Sequence, residues 1–541
     1  MKRSTFIFFC LLISVFSLFS QHNGFYDIKK QGATGVKEQY VTTIIQKTID
    51  ECSKNGGGTV FFPAGSYLSG PIVLKSNVNL NLESGAILYA SRRMEDYPID
   101  PNYKADAQAN TVFKTTFLSA ENAQNISITG LGTIDGQAEQ IWSSLIEVDK
   151  FIAKETEIAR QAGVPMERAY QKDPKVRLVY IMFSKNIVFK DVTIKNSPDW
   201  NLHLGRCQYV SISGVKVRSD LKTGVNSDGI DIDGCKNVEI SNCNVQTGDD
   251  AICLKSTLLN DKFENCENIS VSNCTLTSTS TALKIGTESH GDFKNIVFNN
   301  CVISDSNRGM SIVIRDGGNV SNVEFSNITV ECNRKHFNWW GNGDPIWITL
   351  QKRNPTSRLG SIKNISFSNI KATGQGTSII EGFQDNLKEN LAFKPIEIIR
   401  FKNVKLEMKA ESLKDKRATS GFEARFVDSL SMENVALSWD SVQVEKKWNN
   451  AFVFNTVNQF KLEGLKGKQA QITGSAFAFD NCTDGVINDY EALKRTDYMF
   501  SFSGKSTKNI ELIKNKTQNA SRRIETKENV SKSEIKVPCY N

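Results

Sequence analysis

The sequence predicts an all-β solenoid: a single-stranded parallel β-helix with an N-terminal helical cap. Three observations predict it. The segments "QNISITGLGTI", "KNIVFKDVTI", "QYVSISGVKV", "KNVEISNCNV", "ENISVSNCTL", "KNIVFNNCVI", "SNVEFSNITV" and "KNISFSNIKA" share a polar start, usually with Asn, followed by alternating apolar residues. Their second positions, from Asn186 onward, follow one another at 23, 28, 31, 27, 27 and 42 residues. No helix-period stretch lies within the unit, so each repeat is a half-buried strand and the array is a strand solenoid.

The start, "MKRSTFIFFCLLISVFSLFSQ", reads as a secretory leader over residues 1–20, with Lys2 and Arg3 as its basic end and residues 6 to 19 as its apolar stretch. That stretch is short for a membrane span. No later segment is apolar enough to cross a bilayer, so an exported chain without membrane insertion is expected, periplasmic or secreted. Residues 21–95 read as the cap and first coils: "VTTIIQKTIDECSKNGGGTVFFPAGSYLSG" is a helix, a glycine stop, then a strand and turn. The cap covers a coil end that would otherwise expose the core. Residues 96–500 read as the parallel β-helix, with a charged helical insertion at about 137–175 beside the groove. Residues 501–541 read as a last strand and a Lys-, Asn- and Ser-rich tail.

The net charge is +7, and loss of Lys2 and Arg3 with the leader lowers it by two. So mild a charge tolerates a polyanion without arguing for nucleic acid. Of twelve cysteines, Cys10 lies in the leader, and no CxxC pair suggests a zinc site.

A second strand follows in each coil: "DGIDIDG", "DDAICLKS", "STALKIGT", "RGMSIVIRD". Superposed, these put Ile230, Ile252 and Leu283 in one inward stack and Asp228, Asp250 and Thr281 in the adjacent one. Asp228 and Asp250 then lie one coil apart, roughly 4.8 Å along the axis. Asp249 sits beside Asp250. Three carboxylates distant in sequence therefore converge on one patch. The same register stacks Cys243, Cys274 and Cys301 as an interior ladder of small apolar thiols. Asn242, Asn273, Asn300 and Asn327 form a parallel column that satisfies backbone groups at the coil turns.

Clustered carboxylates on an exported chain point to general acid–base hydrolysis, because crowding raises one pKa and leaves a protonated acid beside an ionised base. In an inverting glycosidase the pair is separated by about 6.5–9.5 Å, leaving room for water. Adjacent coils and neighbouring positions supply such a separation. Calcium binding is the competing use of three aspartates, but solenoids that bind calcium repeat their acidic motif on many coils. Here it occurs once, and no metal or organic cofactor is expected. Lys255, two residues beyond Cys253 on one face, either pairs with the carboxylates or meets an acidic substrate. Trp339 and Trp340, followed by Gly341 and Gly343 and preceded by Arg334 and His336, are placed to stack on sugar rings.

These motifs resemble those of glycoside hydrolase family 28, the polygalacturonases. "NSDGIDI" is similar to the family's Asn-Thr-Asp-Gly motif with Ser227 for Thr, "TGDDAICLKS" to its Gly-Asp-Asp motif, and "ESHGD" to its Ser-His-Gly motif. "FYDIKKQGATG" and "GGGTVFFPAGSYLSG" resemble its N-terminal signature, and the likeness runs over residues 25 to 375. It implies a right-handed β-helix and inversion of configuration. It also implies Asp249 as general acid, Asp228 and Asp250 as activators of water, and His290 beside them. The chain departs from the family where an Arg-Ile-Lys motif usually grips a substrate carboxylate: "RGMSIVIRDGGNVSNV" puts Ser311 and Val313 there, with Arg308 and Arg315 as replacements. The expected activity is hydrolysis of galacturonic-acid bonds in pectic polysaccharide or oligosaccharide, exo-acting. A rhamnogalacturonan hydrolase, a calcium-dependent lyase and a non-catalytic polysaccharide-binding solenoid are the alternatives. The expected partner is the substrate alone, the expected state a monomer.

Overall fold

The computed structural model describes residues 24–97, 116–140, 142–147, 153–164, 167–171, 176–335, 341–385, 393–527 and 530–537. The leader expected at residues 1–20 lies outside them. Among the described residues, 38 strands form one sheet in which each strand pairs in parallel with those one turn earlier and later, as a right-handed parallel β-helix requires. The groove face of the site is built from six successive strands: β1 (Leu202–Gly205), β2 (Ile230–Asp233), β3 (Ile252–Ser256), β4 (Thr281–Ser289), β5 (Arg308–Ile314) and β6 (Asp344–Leu350). Their register stacks Leu202, Ile230, Ile252, Leu283, Met310 and Ile346 in one inward column, the stack expected from the repeats. All six are fully buried, and each such side chain contributes about 1.5–3 kcal/mol.

Like side chains stack on like along the axis. Phe298, Phe325, Phe367 and Phe401 lie face to face with ring centroids 4.8, 5.0 and 4.9 Å apart, the inter-strand spacing itself. Cys243, Cys274 and Cys301 form the expected thiol ladder, and all ten described cysteines are free and buried. A second thiol column, Cys207, Cys235 and Cys266, runs inside another face of the coil.

Asparagines turn the corners. Asn242, Asn273, Asn300 and Asn327 have φ of +57°, +57°, +52° and +56°, the left-handed region that Asn tolerates better than other residues with a Cβ. Their amides bond along the axis: Asn300 Nδ2 donates to Asn273 Oδ1 at 2.8 Å, and Asn369 Nδ2 donates to Asn327 Oδ1 at 2.9 Å. A second column runs through Asn237, Asn268, Asn295, Asn322 and Asn364. Helix α1 (Thr42–Lys54) closes the N-terminal end, burying Ile45, Thr48, Ile49 and Cys52.

Two segments differ from expectation. The 137–175 insertion is not wholly helical: among the described residues, Trp142–Glu147 and Glu167–Gln171 pair as an antiparallel ribbon, and the α-helical part is α2 (Ala153–Gln161). The charged helical period holds only across α2, which Gly163 at φ +68° terminates. The segment expected as a strand and tail continues the solenoid instead, with strands Lys508–Ile513, Ala520–Thr526 and Ile535–Lys536 pairing onto the preceding coils. Its polar residues are the outward half of each alternation.

Asn268 both donates to Asn237 at 3.1 Å and accepts from Asn295 at 3.1 Å, with φ of +58°. Asn268→Ala is expected to lower stability by about 2 kcal/mol, and Asn268→Gly by about 1, since glycine keeps the conformation and loses only the bonds. Guanidinium unfolding of the two variants against the parent measures both.

Candidate active site

Two motif glycines explain how the aspartates come together. A Cβ on Gly229 would lie 2.4 Å from the Ala251 carbonyl oxygen, and one on Gly248 would lie 2.4 Å from that of Asp220. Only glycine lets successive coils close up at this corner. The amide of Gly229 donates to the Asp250 carbonyl at 2.8 Å, which fixes Asp228 one coil from Asp250. The nearest oxygens of Asp228, Asp249 and Asp250 all lie within 4.8 Å of one another. This is closer than the separation expected from the sequence, because coil spacing and adjacency in the chain set the distance together.

The three carboxyls are all buried, but their surroundings differ. Asp250 accepts from Lys284 Nζ at 2.6 Å, from Ser280 Oγ at 2.8 Å and from the Thr281 amide at 3.1 Å. Burial works against its charge, but Lys284 and Lys255 outweigh burial and hold it below the usual carboxylate range. Among the described residues, no such cation lies in contact with Asp249. It accepts two amides, from Asn226 at 3.1 Å and from Asp250 at 2.8 Å. Burial and the neighbouring Asp250 push it up to about 6. Burial also pushes Asp228 well above its ordinary range, and Lys255, 3.2 Å away, opposes this without reversing it.

Lys255 lies among the carboxylates, 3.2 Å from Asp228, 3.6 Å from Asp231 and 3.3 Å from Glu288, with its ammonium 4.4 Å from the Trp200 ring centroid. Of the two uses expected for it, the structure places it in the pairing one. Three carboxylates at this spacing would suit a hard divalent cation. Two ammonium groups, those of Lys255 and Lys284, already bring positive charge to the cluster.

Arg308 lies two coils beyond Asp250 in the same column, in register with Thr281, paired to Asp344 at 3.2 Å and lying 4.2 Å over the Trp347 ring. His290 is not where the motif resemblance expects it. The register pairs Ser256 with Ser289, and the His290 amide donates to the Ser256 carbonyl at 3.0 Å. A whole strand, about 20 Å of chain path, separates that level from Asp250. The His290 ring stacks with Phe263, centroids 6.5 Å apart. The residues beside Asp250 in the next coil are instead Ser280, Thr281 and Lys284. Arg315 also lies at the far end of its strand, its amide accepted by Ser289 Oγ at 2.9 Å. Burial and the neighbouring Arg353 hold its guanidinium below the ordinary range. Trp339 and Trp340, with His336, lie outside the described residues.

Lys284 is the principal group that sequence reasoning missed. Its signal was available: the register that stacks Asp228 on Asp250 also stacks Lys284 on Cys253, facing the groove. Beneath the cluster runs a second network. His203 is fully buried, stacked on Tyr180 at 4.4 Å, with Arg177 2.6 Å from Nδ1 and Asp233 3.2 Å from Nε2. Burial and Arg177 push it down to about 3, so it stays neutral, donating to Asp233 and accepting from Arg177. Asp231, in register with His203, is fully buried, and burial pushes it up to about 8.

The sequence profile of glycosyl hydrolases family 28 matches residues 52–333. A probable polygalacturonase of Vitis vinifera is 29% identical over 232 residues, 42% of this chain and 43% of that protein. An endo-polygalacturonase of Pectobacterium carotovorum subsp. carotovorum is 29% identical over 218 residues, 40% of this chain and 51% of that one. The match thus spans about half the length of these curated relatives. Among solved structures, the exopolygalacturonase of Thermotoga maritima shares the fold with a TM-score of 0.58 at 24% identity, covering 76% of this chain and 91% of that one.

The asymmetry between the adjacent carboxyls is measurable in the resting protein. Infrared titration of the carboxyl band is expected to show Asp249 losing its proton near pH 6. Asp250→Asn, which removes the neighbouring charge, is expected to lower that midpoint; an unmoved midpoint would contradict the stated cause.

Proposed function

Because the chain belongs to glycosyl hydrolases family 28, we propose that it hydrolyses galacturonic-acid glycosidic bonds in pectic polysaccharide or oligosaccharide, with inversion and from a chain end. The observation that carries this reading is the unequal pair: Asp249, buried and bonded to two backbone amides, directly beside Asp250, which Lys284 at 2.6 Å holds ionised. Asp249 protonates the glycosidic oxygen. Asp250 takes the proton of the attacking water, and Asp228 orients that water. A water making two hydrogen bonds of about 2.8 Å at a tetrahedral angle bridges oxygens roughly 4.6 Å apart. The close spacing of the aspartates suits that bridge, so a narrow cluster is compatible with inversion although wider pairs are the rule.

Lysines and Arg308 along the groove favour an anionic sugar. With Ser311 and Val313 in place of the usual cationic pair, galacturonic acid within rhamnogalacturonan is the second substrate this reading admits. End-first action is supported by the insertion. It leaves the solenoid after Asp135 and returns at Val176, two coils before the aspartates. Its helix α2 lines a cavity of about 570 Å³ together with Lys414–Lys416 and Gln443–Lys447, which belong to coils well beyond them. An arm that spans several coils in this way is the kind of wall that closes one end of a substrate path. Export is part of the same reading. No helix among the described residues is long and apolar enough to cross a membrane.

Incubation with polygalacturonic acid and, separately, with rhamnogalacturonan oligosaccharides is expected to release galacturonic acid. Its new anomeric proton, followed by NMR, should be of inverted configuration and indifferent to chelator. Unsaturated products lost on chelation would instead identify a lyase. The dependence of kcat/KM on pH is expected to fall above about pH 6, where Asp249 deprotonates. Asp249→Asn should lose about 10²–10⁴-fold in kcat with an unchanged melting temperature; turnover retained in that variant would overturn the assignment.

A further inference from the structure

We propose that Lys284 is a positioning residue which, through its contact with Asp250, decides which of two adjacent carboxyls is the base and which the acid. This rests on the hydrolytic reading above. Asp249 and Asp250 are chain neighbours at one corner, both buried, and nothing in their own chemistry distinguishes them. What distinguishes them comes from the next coil. Lys284 Nζ lies 2.6 Å from Asp250 Oδ2, and Ser280 Oγ and the Thr281 amide satisfy Oδ1 at 2.8 and 3.1 Å. Among the described residues, Asp249 receives two backbone amides and no cation in contact.

The other charges facing Asp250 do not supply the distinction. Lys255, from its own strand, is shared among Asp228, Asp231 and Glu288. Asp228 and Asp231, from the coil before, are acids that favour protonation of Asp250. On the other side of Lys284, the register sets Ser311, a neutral residue that is fully buried, so no acid on that strand draws the ammonium away. Lys284 is thus a cation one coil nearer the aspartates than the position Ser311 leaves uncharged. Its side chain is 12% exposed, well placed to hold a carboxylate in a dry site.

Removing the cation should let the proton spread over both carboxyls. Asp250 loses its nearest cation and rises most; Asp249, which Lys284 also holds down through space, rises less, so the two draw together. In Lys284→Met both limbs of the kcat/KM profile should therefore move up, the acid limb by more than the basic one, so that the window between them narrows. The loss in kcat should be on the order of 10–100-fold, with KM changed by less than about threefold. Lys284→Arg, which restores the charge, should return both limbs towards their parental positions. Infrared carboxyl titration of the resting variants gives the same answer without turnover. A chain that hydrolyses nothing would thus sink the functional reading and leave this one to be judged by itself. Limbs and carboxyl midpoints unmoved in Lys284→Met would overturn the proposal, as would a rise in KM with kcat unchanged, the sign of a residue gripping substrate. If Lys284→Met does not fold, Lys284→Gln is read by the same outcomes.

Discussion

The axial repeat of parallel strands governs this molecule. One coil must lie on the next at the hydrogen-bonding distance, and every side chain must then tolerate its counterpart above and below. Phenyl rings satisfy this by stacking, and thiols by their small size. Asparagines satisfy it by passing an amide hydrogen bond from corner to corner. The corners are the demanding places, because the chain turns there through left-handed conformations. Residues that are not Asn occupy some of them, Tyr209 at φ +58° among them. The ladder is thus a preference rather than a requirement at any one level.

At one corner the same repeat is used against its natural tendency. Stacking like on like is favourable for phenyl rings and unfavourable for carboxylates, whose burial and mutual repulsion both oppose charge. The structure answers with two lysines reaching in from different strands. Lys255 sits between Asp228, Asp231 and Glu288, and Lys284 lies on Asp250. Arg353 adds a third cation, 3.5 Å from Glu288, and protons make up the remainder: Asp249 is pushed up to about 6 and Asp231 to about 8. A carboxyl that keeps its proton beside one that does not is obtained from the shortage of positive charge. The neutral His203 beneath it, held by Arg177 and Asp233, adds no further charge to the count.

Much of this was legible in the sequence, and for one reason. A solenoid converts sequence offsets into spatial neighbours, so alternation gave the strands and the offset between Asp228 and Asp250 gave the cluster. Where register was followed, the expectation held: the Ile230 column and the Asn corners are examples. Where local likeness was followed instead, it did not. "ESHGD" matched a motif by its letters, but its level in the coil is that of Ser256, and the groups beside Asp250 come from "TSTSTALK", which begins eleven residues earlier. Lys284 was hidden by the same choice. The ribbon in the insertion was hidden differently: its charged composition resembles a helix, and no neighbouring coil imposes a period on it. The final coils were obscured because polar outward positions outnumber their short apolar alternation.

The stacked coils beyond Asp344 have a further meaning. Each contacts only its two neighbours, so the array behaves as a one-dimensional lattice whose stability is a sum over adjacent units. A whole coil gained or lost there would change the length of the groove by about 4.8 Å while leaving the aspartates and their lysines untouched. Reach and chemistry are therefore separable quantities in this architecture: the number of units sets how long a surface the coils present, and one corner sets which groups ionise on it.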